Sequence, residues 1–123
     1  PSGNFRETYR VNNDTGSNYA QRDSSDGAAD ALKTSQARSE FGKKDEATNA
    51  FSVSYWFNIS TEEKLWINWE VRANTAGAGN AVSRNEHVGK WSNTSDPVDR
   101  IDILNDQSGN FAIGSNCSIL GAT

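Results

Sequence analysis

The sequence predicts an all-β fold, an antiparallel β-sandwich of jelly-roll-like form, and three observations carry that prediction. Apolar and polar residues alternate through the two most hydrophobic stretches, the pattern of a strand with one face buried. Clusters of Gly, Asn, Asp and Ser separate the alternating stretches and supply the chemistry of turns. No stretch places large apolar residues at the 3.6-residue spacing of a helical stripe. Many short strands joined by such turns point to a sandwich or barrel, and 123 residues make a single domain.

Along the chain, Phe5, Glu7, Tyr9 and Val11 alternate with Arg6, Thr8 and Arg10, which predicts a first strand. The chain opens almost within that strand and holds no methionine, so an earlier strand or segment is expected ahead of Pro1. Asn12–Asn18 is a loop by composition. Asp26–Arg38 is Ala-rich without a stripe, and is read as loop or strand with at most one helical turn. Lys43-Lys44, followed at once by Asp45 and Glu46, is a solvated turn. From Phe51 to Ile59 every odd position is large and apolar, and after the link Ser60–Lys64 the pattern resumes. There Leu65, Ile67, Trp69 and Val71 make one face and Trp66, Asn68, Glu70 and Arg72 the other. So short a link makes the pair antiparallel.

Asn74–Asn80 is a small-residue loop, Glu86–Trp91 a further strand, and Asp96-Pro97 a break before a strand at Ile101 and Ile103. Gln107–Asn110 is read as the turn of a final hairpin, leading through Phe111–Gly114 to a last strand, Cys117–Leu120. Cys117 is in phase with Ile119 there and is expected to be buried, as free cysteines usually are.

Composition narrows the function. A net charge of -4 with no basic cluster argues against a nucleic-acid partner, which needs cations to displace phosphate counterions. No apolar run approaches the ~20 residues that span a bilayer, so membrane insertion is not expected. One cysteine allows no internal disulfide, and one histidine with it cannot build the usual zinc site. His87 has no nucleophile motif around it. Carboxylates such as Glu62, Glu63, Asp96, Asp99 and Asp102 are too common for a glycosidase pair to stand out. Oxygen donors at Asn12, Asn13, Asp14, Asn18, Asp23 and Asp26 lack the full pattern of a calcium loop. No enzyme activity, metal or cofactor is expected.

The tryptophans suggest binding instead. Trp69 shares a face with Leu65, Ile67 and Val71 and is assigned to the core, whereas Trp56 and Trp66 fall on the opposite faces of their strands. An indole on a polar face suits an interface, so that face is expected to pack against a neighbouring subunit. The alternative is that it stacks on sugar rings, as in a carbohydrate-binding module. Asn13, Asp14, Asn18 and Tyr19 in one loop, with Asn74 and Asn80 in another, are the remaining interface or ligand candidates.

Taken in order, Val11–Ala20, Ser60–Leu65, Ala73–Asn80, Val88–Ser95, Arg100–Ile103, Ser108–Ser115 and Leu120-Gly121 resemble small β-sandwich structural proteins of tailed bacteriophages and environmental viruses. The resemblance covers the chain from about Val11 onward, and none of its motifs is chemical. It implies a virion component on the particle surface, such as a capsid decoration protein, a head or tail fibre module or a receptor-binding tip. Its expected partners are further copies of itself (a trimer or higher homo-oligomer), other virion proteins and a host surface glycan.

Overall fold

A computed structural model describes residues 6–41, 48–107 and 109–121. It is all-β, with two antiparallel sheets and no helix among the described residues. The strands are β1 (Glu7–Val11), β2 (Tyr19–Ser25), β3 (Ala31–Gln36), β4 (Ser39–Glu40), β5 (Ala50–Phe57), β6 (Lys64–Arg72), β7 (Ser83–Trp91) and β8 (Ile101–Asn105). One sheet has the order β4-β1-β8 and the other β3-β2-β7-β6-β5.

Alternation found the strands that became β1, β5, β6, β7 and β8. The antiparallel β5–β6 pair is as expected, with Phe57 opposite Leu65 and Phe51 opposite Val71. Phe5, the turn at Lys43–Glu46 and Ser108 of the expected last turn lie outside the described residues. The expected strand at Cys117–Leu120 is absent: among the described residues the segment pairs with no strand, and strand backbone persists where a ladder satisfies it. Cys117 is correspondingly exposed rather than buried.

The core lies between the sheets. Val11, Tyr19, Trp66 and Trp91 form its centre, with Trp56 and Val98 packed against it. Tyr9 joins the layers: its ring stacks on Phe41 with centroids 3.6 Å apart and meets Trp56 edge-on at 5.4 Å. Its hydroxyl lies 2.7 Å from Ser54 Oγ. Trp56 and Trp66, opposite each other in the ladder, stack at 5.0 Å.

This reverses the expected orientation of the large sheet. On β6 the residues facing inward are Lys64, Trp66, Asn68, Glu70 and Arg72, and Trp66 is only 2% exposed. The face assigned to the core, Leu65, Ile67, Trp69 and Val71, points outward. A period of two divides a strand into two faces but does not say which one the same chain covers. Here the aromatic-polar face is covered by β1 and the segment at Phe41, while the aliphatic face is left open.

Candidate functional site: the open face of the large sheet

Strand register builds the open face row by row. Phe57, Leu65, Lys90 and Ala20 lie across one row of β5, β6, β7 and β2. The next is Tyr55, Ile67, Val88 and Arg22, extended by Leu32 of β3. Val53, Trp69 and Glu86 follow, then Phe51, Val71 and Arg84. The β5–β6 half is therefore apolar without interruption. Its side chains are bare, with Trp69 65% and Tyr55 71% exposed. A shallow trough of about 860 Å³ runs over this surface between Leu32, Tyr55, Phe57, Leu65, Ile67 and Val88. Charge pairs confine the patch on its other side: Lys90–Glu63 at 2.7 Å, Arg84–Glu86 at 3.6 Å and Arg22–Asp30 at 2.9 Å.

The interior face is polar around its aromatic centre, and its charges are matched. Lys64 Nζ, wholly buried, donates to the carbonyls of Ser60, Glu62 and Asn93 at 3.1, 2.6 and 2.8 Å and lies 5.7 Å over the Trp91 ring. Arg72 grips Glu70 with two bonds of 2.6 and 2.9 Å, and Asn85 Nδ2 donates to the same carboxylate at 2.8 Å. Burial, and then the charge of Glu70, raise the pKa of Glu7 against the opposing pull of Arg72.

His87 is buried with Nδ1 2.9 Å from Asp23 Oδ1, and its Nε2 has no partner. Burial alone would raise the Asp23 pKa, but the hydrogen bonds and charges of His87 and Lys33 outweigh it and hold the carboxyl below its usual range. Lys33, 2.9 Å from Asp23 and also paired with Glu40, is raised on balance against a burial effect that would lower it. The arrangement fixes a proton on Nδ1 and orients the ring, but His87 is closed in between the sheets. Among the described residues no group of three or more His, Cys, Asp or Glu is placed to hold a metal ion.

The residues singled out by sequence are scattered by the fold. Trp66 and Tyr19 are buried and Trp56 half-buried, so these indoles hold the two sheets together and do not offer a second surface. Tyr19 turns its hydroxyl to the Val11 amide at 2.9 Å, and burial pushes its pKa up to about 12. Asp14 accepts from Gly16 N, Asn18 Nδ2 and Trp91 Nε1 at 2.7, 2.8 and 2.7 Å. Burial opposes, but those bonds prevail and lower its pKa. Asn13 (φ 57°) and Asn18 stay exposed in that loop. Asn12 ties the loop to the β7–β8 connection, accepting from Arg100 N at 3.0 Å and donating to Pro97 O at 2.8 Å.

Asn74 and Asn80 brace their own loop through Ala81 O and Ala76 O at 3.2 and 2.9 Å. That loop follows Arg72, whereas the Asn12–Asn18 loop leads into Tyr19 beside Trp91 and Lys64. The two sets therefore occupy opposite ends of the sheet. What sequence reasoning misses is that the aliphatic face is the exposed one. Its signal is the alternation in Phe51–Phe57 and Leu65–Val71, which by itself does not say which face the chain covers. No helix is long and apolar enough to cross a membrane. Comparison of the chain with protein-family models, with curated proteins and with solved structures finds no match.

Proposed function

We propose that this domain is a non-catalytic surface component of a virus particle, a jelly-roll-like sandwich that works by self-association through the open face of its large sheet. The observation that carries the reading is ten large apolar side chains, from Leu32 on β3 to Phe51 on β5, bare on one sheet face. Four of them are aromatic, and an aromatic side chain alone presents about 150–250 Å². At their observed exposures the face amounts to on the order of 1,000 Å², against about 300–600 Å² for the largest patch on an ordinary monomer. A standard interface takes about 800 Å² from each partner. A second copy, laid face to face about 10 Å away as sheets pack, is the smallest cover of matching size and chemistry. The virion setting rests on the resemblance, and the braced loops at the two sheet ends are the surfaces left for other virion proteins or a host glycan.

Sedimentation of the intact chain at micromolar concentration tests this, with Ile67→Asp as control. Ile67 is half exposed already, so the change leaves the single copy folded while placing a charge in the interface. The expected result is a dimer or larger closed assembly that Ile67→Asp reduces to monomers. A wild-type monomer whose Trp69 is quenched freely by acrylamide would overturn the reading, and so would a monomer with Trp69 shielded, because the cover would then come from elsewhere.

The second reading, a carbohydrate-binding module, is favoured by Tyr55 and Trp69 standing exposed in adjacent rows, where they could stack on successive sugar rings. It requires a monomer whose tryptophan fluorescence shifts on adding oligosaccharide, with Trp69→Ala removing the shift.

A further inference from the structure

We infer that two copies meet about a two-fold axis that runs along the strands over the boundary of β5 and β6, so that the pair carries the same loops at the same end. This deepens the self-association proposed above and rests on it. The outward side chains of β5 and β6 are all large, apolar and exposed. Beyond them the same sheet face changes character. β7 turns Arg84, Glu86 and Lys90 outward and β2 turns Arg22 outward, so apart from Val88 and Leu32 the large apolar side chains stop at the β6–β7 boundary.

Sheets packed face to face with aligned strands allow two symmetric arrangements. An axis across the strands lays each strand on its own copy with the rows reversed. Lys90 of one copy then meets Arg84 of the other and Val88 meets Glu86. Like charges are brought together, and charged side chains leave water at a cost that pairing seldom repays. An axis along the strands keeps each row on itself, and over the β5–β6 boundary it lays β5 of one copy on β6 of the other. Phe57 then lies over Leu65 of the second copy, Tyr55 over Ile67, Val53 over Trp69 and Phe51 over Val71. Each row sets one aromatic ring on one aliphatic side chain, and no charge lies in the overlap. These side chains are most of the bare face, and they supply roughly the 800 Å² that a standard interface takes from each copy. The same axis orders the loops. The Asn12–Asn18 and Asn74–Asn80 loops stand at opposite ends of the sheet, and rotation about a line parallel to the strands leaves each at its own end. The pair is therefore polar, with two copies of one loop at the end that attaches and two of the other at the end that faces outward.

A distance between nitroxides tests the alignment. The label goes on Leu32→Cys, with the chain's one cysteine, exposed Cys117, replaced by serine. Leu32 is 67% exposed and lies on β3, at the far end of the sheet order from β5. With strands about 4.8 Å apart and sheets about 10 Å apart, an axis along the strands puts the two labels roughly 35 Å from each other, and an axis across them below about 20 Å. Double electron–electron resonance on the associated chain is expected to give the longer distance. The shorter distance overturns the alignment and leaves self-association standing. Loss of association on labelling does the same, because Leu32 lies outside the overlap. Lys90→Glu gives an independent reading, since an exposed ion pair contributes little and the dissociation constant should move by less than about threefold. A larger change in either direction overturns the alignment, and tightening in particular would show Lys90 facing Arg84. A wild-type monomer in sedimentation sinks both the alignment and the association it rests on.

Discussion

Trp66 lies across Gly89, its partner in the β6–β7 ladder. A methyl group added to that glycine would stand 2.6 Å from the indole Cε2 and 2.8 Å from the carbonyl oxygen of Ala20. The indole is gripped by Trp56 on one side and the backbone cannot recede, so neither neighbour can give cheaply. Gly89→Ala should therefore destabilise the domain by about 2–3 kcal/mol, within the range for overpacked cores, with a lowered Tm and an altered near-ultraviolet tryptophan spectrum. An unshifted Tm would mean that the indole can swing away and that the centre of the core is looser than its stacking implies. A glycine within a strand is itself a sequence-level hint of close approach, but only the coordinates say which ring takes the space.

At the scale of elements, legibility followed the contrast between a strand's two faces. β5 and β6 were plain because large apolar residues alternate with small or polar ones. β2 was not, since its inward residues after Tyr19 are Gln21 and Asp23, which satisfy each other and Glu40 through hydrogen bonds; composition alone makes them look solvent-facing. The same polar interior misdirected the assignment of β6. Its inward Glu70 and Arg72 are two residues apart, hence on one face, and their mutual pairing is what allows them to be buried. The candidate site was thus visible as a set of residues and invisible as a surface. Arg72→Met should cost about 3–5 kcal/mol because it takes from the buried Glu70 carboxylate a cation that bonds it twice. Adding Glu70→Gln to it should recover a large part of that loss, since the buried group that lost the cation is then neutral. Urea titrations of the three variants decide this, and a double variant no more stable than the single one would show that the loss comes from packing of the guanidinium stem.

For the whole molecule, the two faces of the large sheet make folding and association one problem. A single copy holds its sheets together with a modest aromatic cluster and hydrogen-bonded interior charges, while a broad apolar sheet face stays in water. The association proposed here would bury that surface only in the folded state, and so would add to stability by mass action. The midpoint of thermal unfolding should then depend on protein concentration, rising by about 2 °C per tenfold increase for a two-copy assembly of domains this size. Ile67→Asp should remove the dependence and lower the midpoint toward that of the isolated copy, although it touches nothing in the core. Scanning calorimetry across a hundredfold range of concentration reads both effects. A midpoint that stays fixed for the wild type would mean that the exposed sheet contributes nothing through a second copy, and the charged variant would then unfold at the same temperature as its parent.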